Sequence, residues 1–301
     1  MVSYFWGLRR LVKPSLRLLT FDLEDWYHIL DHPETERPEQ WISFPSRIER
    51  NTERILNWLR ERKVRSTWFV LGWVAERYPE LVRRIAAEHD IAAHGYAHQL
   101  VYRSDRESFR EDTRRCLECI RQAIGRDVSV YRAGGFSVTK ATPWFFEELA
   151  HAGIEIDASI FPAARNHGGL PGAQWSKPFI VQGDGWQIRE FPLMYQTIAG
   201  RKLVFSGGGY FRLLPYPLIR RFTARADYTM TYFHPRDFDP DQPVLSSLPV
   251  KRQWMSYTGL RSAPAKFRQY ILDFEFTSIE TADRTIDWSD RPVFRHEELF
   301  R

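Results

Sequence analysis

Two histidines four residues apart carry the strongest chemical signal in the sequence. His94 and His98 directly follow the short apolar run 91–93, which is typical of a buried strand. If a helical turn begins where that strand ends, the two imidazoles share one face with their Cβ atoms about 5–6 Å apart, close enough to bind one metal ion. The same spacing also occurs in histidines that cap a helix or fill a core, so the pair needs support from elsewhere in the chain.

A cluster of carboxylates supplies that support. Residues 18–21 predict a buried strand, and Asp22, Glu24 and Asp25 come directly after it. Two imidazoles and one carboxylate make a good site for a divalent metal, with positions left for water and substrate. Zinc fits this donor set best, and other divalent ions also fit.

Further ionisable side chains lie on other predicted strands. Arg132 follows a third strand, Asp157 lies in a fourth and His234 closes a fifth. In parallel α/β folds the reactive groups collect at the carboxyl ends of the strands. The pattern therefore predicts one site at one mouth of the fold.

The elements that must hold these residues alternate between strand and helix. Apolar runs rich in β-branched and aromatic residues predict strands at 18–21, 66–70, 90–93, 128–131, 154–158 and 229–233. Amphipathic patterns predict a helix from about Arg47 and another over 104–124, which begins with a capping box of Ser104 and Glu107. This alternation indicates a parallel sheet covered by helices and favours a closed or nearly closed α/β barrel.

Composition narrows the classes of function. The 301 residues carry a formal net charge of +5, with basic residues scattered among glutamates, which favours ion-paired helix faces over a nucleic-acid groove. No apolar run approaches the length of a membrane-spanning helix. Residues 1–15 lack the residue order of a secretory signal, which favours a cytoplasmic location. Weak attraction of the basic protein to an anionic membrane surface is compatible with this composition.

Cys116 and Cys119 lie within a helical pattern and are expected to be reduced, structural thiols.

Several of these segments occur in the order found in a known family. The chain resembles the NodB-type polysaccharide deacetylases (carbohydrate esterase family 4) from about residue 16 to 240. The segments that carry the resemblance are 20–26, 94–98, 131–134, 157–159 and 232–235. The glycine-rich segment 207–215 and the tail resemble the subgroup associated with exosortase-linked exopolysaccharide loci. The resemblance implies a distorted (β/α) barrel over 16–245, with a short C-terminal extension, 246–301, packed on it.

The resemblance also implies a role for each matching residue. Asp22 would be the general base, Arg132 would orient it, and His234 would be the general acid. Asp25 would bind the metal with His94 and His98.

Two departures from the family pattern bear on these roles. Two residues separate Asp22 from Asp25, where the family usually has adjacent aspartates, so Glu24 is the alternative metal ligand. Gly134 stands where the family usually has proline. Trp26 and Tyr131 are expected to contact the sugar, and Asp157 to support the site.

The implied function is a metal-dependent hydrolase that removes the N-acetyl group from an amino sugar. Its expected substrate is an exopolysaccharide or the lipid-linked precursor, reached through peripheral contact with the inner face of the membrane. One alternative is a deformylase or another hydrolase of non-peptide carbon–nitrogen amide bonds. The alternative of a different class is a catalytically silent carbohydrate-binding or scaffold protein.

Overall fold

The computed structural model describes residues 15–163, 168–172, 176–198 and 200–301. The strands are β1 (Leu16–Leu18), β2 (Thr20–Leu23), β3 (Thr67–Val70), β4 (Asp90–Ala93), β5 (Val130–Tyr131), β6 (Ile156–Asp157), β7 (Phe179–Gly183), β8 (Trp186–Glu190), β9 (Gln196–Ile198), β10 (Arg201–Leu203), β11 (Tyr228–Met230) and β12 (Val293–Arg295). The helices are α1 (Pro38–Trp41), α2 (Ile48–Arg62), α3 (Gly72–Arg77), α4 (Pro79–Ala86), α5 (Arg106–Ile124), α6 (Phe145–His151), α7 (Gly208–Leu213), α8 (Tyr216–Arg225), α9 (Val250–Tyr257), α10 (Ala263–Asp273), α11 (Ile279–Thr285) and α12 (His296–Leu299).

Eight of the strands form one sheet in the order β12-β7-β8-β6-β5-β4-β3-β2. The run from β2 to β6 is parallel, as is the pairing of β6 with β8, whereas β7 and β8 form an antiparallel hairpin. Beyond β2, strand β1 pairs in parallel with β11, and single bridges join Phe21 to Phe233 and Gly207 to Tyr232. These bridges curl the sheet toward closure. The fold is a distorted (β/α) barrel, as predicted.

The register of the parallel strands brings their carboxyl ends to one level. Leu23 pairs with Val70, Val70 with Ala93, Ala93 with Tyr131, and Tyr131 with Asp157. The residues that follow these positions therefore emerge at the same edge of the barrel. This edge is where the sequence places its ionisable side chains.

The C-terminal part of the chain is built into the same sheet and core. Strand β12 pairs with β7, and the carbonyl of Thr277 accepts the backbone N–H of Leu19 at 3.0 Å. From α10, Phe267 packs edge-on against Phe21, with ring centroids 5.9 Å apart. Within the described residues, no helix combines the length and apolar character needed to cross a bilayer.

Helix α5 begins one residue later than its predicted capping box. The cap is Asp105, whose Oδ1 accepts the backbone N–H of Ser108 at 2.8 Å, and not Ser104. Ser104 instead ends the preceding 3-10 turn, because its N–H is bonded to the carbonyl of Val101. Cys116 and Cys119 are both free and buried in α5, as expected of structural thiols.

Candidate metal and active site

Three buried side chains converge where β2 and β4 end. The Nε2 atoms of His94 and His98 lie 3.2 and 3.0 Å from Oε1 of Glu24. His94 donates its Nδ1–H to the carbonyl of Arg132 at 2.8 Å, because a carbonyl can only accept. This hydrogen bond selects the tautomer in which the Nε2 lone pair faces Glu24 and is free to bind a metal.

A turn, and not the predicted helix, brings the two histidines together. Gly95 and His98 have positive φ angles of 75° and 51°. Asp112 of α5 holds the turn, because its carboxylate accepts the backbone N–H groups of Tyr96 at 2.7 Å and Ala97 at 2.9 Å. A conformation that most residues avoid is thereby stabilised by a carboxylate from another element.

Gly134 lies against this turn. A Cβ added at residue 134 would come within 2.9 Å of Cδ2 of His98. The glycine at this position, where the family usually has proline, therefore leaves room for the imidazole of His98.

The structure corrects the preference for Asp25 as the third metal ligand. Its Oδ2 accepts the hydroxyl of Ser46 at 2.7 Å and the backbone N–H groups of Arg47 and Ile48 at 2.9 and 3.2 Å. Asp25 therefore binds the N-terminus of α2, where free N–H groups attract an anion. Glu24, the alternative, occupies the position between the histidines.

The donor set fits a divalent cation. The ligand atoms of Glu24, His94 and His98 all lie within 4.8 Å of one another. Among the residues that the structure describes, the buried Nε2 of His98 has no hydrogen-bond partner, although it lies 3.0 Å from Oε1 of Glu24, so it is available to bind a metal. Burial raises the pKa of the Glu24 carboxyl, but the charges of the neighbouring histidines, His98 and His234 first, outweigh it and hold this pKa well below its usual range. Two imidazoles and an ionised carboxylate are a typical zinc donor set.

Asp22 lies beside this cluster and is fixed by Arg132. Nη1 of the fully buried Arg132 donates to Oδ1 of Asp22 at 2.6 Å and to the Thr20 hydroxyl at 2.8 Å. The guanidinium also lies over the Phe69 ring, 3.8 Å from its centroid. Oδ2 of Asp22 takes no part in the hydrogen bond with Arg132 and lies 4.0 Å from Nε2 of His94.

His234 lies at the border of the same space. Its Nε2 is 3.7 Å from Oδ2 of Asp22 and 3.8 Å from Oε1 of Glu24. On the other side of the ring, Nδ1 lies 3.0 Å from Oδ2 of Asp237. Burial lowers the pKa of His234, but the charges of Glu24 and Asp237 and the hydrogen bond to Asp237 raise it to about 9. In the metal-free protein the imidazole is therefore cationic at neutral pH, and its Nε2 faces the two carboxylates.

Asp157 lies behind the site and does not contact the cluster. Its carboxylate accepts the hydroxyl and the backbone N–H of Ser159 at 2.6 and 3.0 Å. The Ser159 hydroxyl accepts the N–H of Ala133, the residue after Arg132. Burial and the charge of Asp157 raise the pKa of the adjacent Glu190 well above its usual value. The pair holds the end of β5.

The structure contradicts the expectation that Trp26 and Tyr131 contact the sugar. Trp26 is buried, and its indole N–H donates to the carbonyl of Pro45 at 2.9 Å. Tyr131 is also buried and packs edge-on against Phe109. Both follow the common use of aromatic residues as core.

Two acidic residues of the site escaped the sequence analysis. Asp237 accepts the backbone N–H of His234 at 2.9 Å as well as contacting its ring. A spacing of three residues is typical of helix-capping pairs, so this contact had a detectable signal. Asp112 lies in the middle of a helix, and its contact with the histidine turn had none.

A cavity of about 300 Å³ lies beside His98. Leu30, Asp31, Arg37 and Arg103 are among the residues that line it. The cavity combines an apolar wall with charged groups near the cluster, as ligand sites do.

Comparison with known proteins is consistent with this geometry. Residues 32–155 match the family model described as polysaccharide deacetylase, and residues 158–284 match one described as "Domain of unknown function (DUF3473)". The first region contains His94, His98 and Arg132, and the second contains His234. Asp22 and Glu24 precede both regions.

Two curated relatives share part of the sequence. A peptidoglycan-N-acetylglucosamine deacetylase of Bacillus cereus is 33% identical over 75 residues, which is 25% of this chain and 27% of that protein. A chitooligosaccharide deacetylase of Rhizobium leguminosarum bv. trifolii is 30% identical over 130 residues, which is 43% of this chain and 55% of that protein. These matches cover about a quarter and about half of the relatives' lengths.

A solved structure agrees over nearly the whole chain. The crystal structure of a Mycobacterium smegmatis protein assigned to the polysaccharide deacetylases matches with a TM-score of 0.63 at 20% identity. The match covers 96% of this chain and 94% of that one. At this identity the likeness establishes the fold.

Proposed function

Because the chain belongs to the NodB-type polysaccharide deacetylases, we propose that it removes the acetyl group from an N-acetylated amino sugar by metal-assisted hydrolysis. The observation that carries the proposal is the buried cluster of Glu24, His94 and His98, bordered by Asp22 and His234. A divalent metal held by this cluster, for which zinc is the best match, supplies polarisation of the acetyl carbonyl and a more acidic water.

Asp22 is the proposed general base. Arg132 binds Oδ1, so Oδ2 stays directed toward His94 and His234, where it can accept a proton from the attacking water. The guanidinium is itself held by Thr20 and cannot rotate away without breaking both contacts. The carboxylate is thereby pre-oriented for proton transfer.

His234 is the proposed general acid. Asp237 holds Nδ1, which leaves the Nε2 proton directed into the site. As the carbon–nitrogen bond breaks, this proton passes to the sugar nitrogen, and the water oxygen remains in the acetate. A neutral amine and acetic acid are formed, and the acid passes its proton to the amine or to water as the products leave. His234 regains its proton from the one that Asp22 accepted.

The finer features of the proposal concern the substrate and the location. We place the reaction on an exopolysaccharide or its lipid-linked precursor, in the cytoplasm, with peripheral contact at the inner membrane face. The glycine-rich segment 207–215 supports this choice, because it resembles the exopolysaccharide-locus subgroup. The cavity beside His98 supports a substrate that extends beyond the reacting group.

The test is product analysis with the zinc-loaded protein. Chitooligosaccharide and its N-formyl analogue are incubated separately, and acetate, formate and new amine are quantified. Acetate released in equal amount with amine, and lost in Glu24→Gln, supports the proposal, whereas the exposed Glu34→Gln variant serves as the active control. Formate release alone would instead identify a deformylase. Retention of the sugar without release of either acid would identify a silent binding protein.

A further inference from the structure

A buried arginine joins the His234 loop to the C-terminal part of the chain. Nε of Arg212, in α7, lies 3.2 Å from Oδ1 of Asp237, and both side chains are nearly inaccessible to solvent. Nη1 of Arg212 donates to the carbonyl of Ser256 at 2.7 Å, and Nη2 donates to that of Met255 at 2.9 Å. One guanidinium therefore contacts the carboxylate next to His234 and the last turn of α9.

Asp237 uses different oxygens for its two partners. Oδ1 faces Arg212, whereas Oδ2 accepts the backbone N–H of His234 and lies 3.0 Å from its Nδ1. The buried charge of Arg212 attracts Oδ1 and so favours the orientation of the carboxylate in which Oδ2 faces His234. The direction of the His234 ring thus depends on the position of Arg212.

The C-terminal part of the chain also fixes the backbone of α7. The ammonium of Lys266 donates to the carbonyls of Phe211, Arg212 and Leu214 at 3.0, 2.8 and 2.8 Å. Gly259 has a φ of +81°, and a Cβ there would come within 2.8 Å of the Arg212 carbonyl oxygen. The C-terminal segment therefore packs closely against the backbone that carries Arg212.

We propose that Arg212 is a positioning residue for proton donation, which acts on His234 through Asp237 and makes the C-terminal segment part of the active site. The proposal rests on the proposed function of His234 as general acid. It gives the glycine-rich segment that contains Arg212 a defined role in the chemistry.

The test exploits a difference between leaving groups. Departure of a sugar amine requires a proton, whereas 4-nitrophenolate leaves 4-nitrophenyl acetate without one. In the zinc-loaded protein, Arg212→Met should lower kcat for the N-acetyl sugar by at least about 10-fold, within the range of general-acid effects, with little change in KM. The rate with 4-nitrophenyl acetate should stay within about 2-fold, and Arg212→Lys should recover part of the amide activity.

Two further variants separate positioning from folding. Asp237→Asn keeps the shape of the side chain and should reproduce the selective loss of amide hydrolysis. Arg65→Met removes a comparable contact with a buried carboxylate, that of Asp90 at the opposite end of β4, and should leave both rates unchanged. Thermal unfolding verifies that each variant is folded. Equal losses with both substrates, or no loss with either, would overturn the proposal.

A spectroscopic measurement keeps this inference separate from the proposed function. In protein labelled with ¹⁵N-histidine, the Nδ1–H of His234 bonded to Asp237 should give a downfield proton signal. That signal should disappear in Arg212→Met and persist in Arg65→Met, whether or not the protein cleaves amides. Its persistence in Arg212→Met would overturn the positioning role. A wild-type protein that cleaves no amide would overturn only the proposed function.

Discussion

Glu24 and Asp25 are adjacent in the chain, yet their carboxylates serve different structures. Oε1 of Glu24 lies 3.0 Å from Nε2 of His98, whereas Oδ2 of Asp25 accepts the N–H of Arg47 at 2.9 Å. One residue faces the two histidines, and the other anchors the N-terminus of α2. The strand that precedes them has ended, so the alternation of side chains no longer dictates which of the two faces the barrel mouth.

Because the two carboxylates have different partners, substituting Glu24 should affect zinc binding, whereas substituting Asp25 should affect the stability of the fold. Glu24→Gln should weaken zinc binding by more than about 100-fold, beyond the loss typical of a residue that only supports a ligand, with little change in the stability of the metal-free protein. Asp25→Ala should cost about 1–2 kcal/mol of unfolding free energy, because the α2 N-terminus loses its acceptor. Competition with a chromophoric chelator measures the first effect and urea unfolding the second. Loss of zinc binding in Asp25→Ala alone would reverse the assignment of the ligand.

The turn between the two histidines leads to a second prediction. Asp112→Asn replaces one of the oxygens that accept the N–H groups of Tyr96 and Ala97, so the turn loosens. We expect zinc affinity to fall about 10-fold, since residues that orient ligands typically contribute that much. Glu111→Gln is the matched control, because Glu111 is adjacent, exposed and paired only with Arg114 among the contacts described. Unchanged zinc affinity in Asp112→Asn would show that the turn keeps its conformation without the Asp112 carboxylate.

The sequence was sufficient to predict that several ionisable side chains lie together at one end of the barrel. His94, Arg132 and His234 each follow a strand, and parallel strands in register bring such residues together whatever the details of the loops. The two histidines are brought together by a turn with positive φ angles and not by the helical turn that was considered for their spacing. The shape of the observed turn depends on Asp112, which lies on another element and shows no local pattern.

The remaining differences also have long-range causes. Asp25 is held by the start of α2, more than twenty residues away, and no spacing rule connects the two. Trp26 and Tyr131 were assigned to the sugar because they adjoin site residues. Neighbours in an extended chain point in opposite directions, however, and both rings enter the core.

A third prediction concerns stability at low pH. Hydrogen bonds from Arg110 and Arg106 outweigh the effect of burial and lower the pKa of Glu148 from its ordinary 4.5 to about 2. The ionised form is therefore favoured in the folded protein, and the resulting stabilisation is complete above about pH 4.5 and lost as the pH falls toward 2. Glu148→Gln should lower the unfolding free energy by about 1–2 kcal/mol at pH 7, and the difference from wild type should shrink below pH 4.

Urea unfolding at a series of pH values measures this dependence. Glu147→Gln is the matched control, since Glu147 is adjacent and half-exposed and contacts only Arg106 among the described ion pairs. Its substitution should change stability by less than about 0.5 kcal/mol at any pH. A difference between wild type and Glu148→Gln that is independent of pH would mean that packing, and not charge, is responsible.

The last prediction separates the general base from the metal ligands. Asp22 is bonded to Arg132 and keeps its free oxygen 4.0 Å from Nε2 of His94, farther than Glu24. Asp22→Asn preserves the size of the side chain but cannot accept the proton of water. We expect kcat for the N-acetyl sugar to fall by about 10²–10⁴-fold while zinc affinity changes less than about 3-fold. Parallel chelator titration and acetate release measure both quantities, and a loss of zinc binding equal to that of Glu24→Gln would make Asp22 a ligand instead of the base.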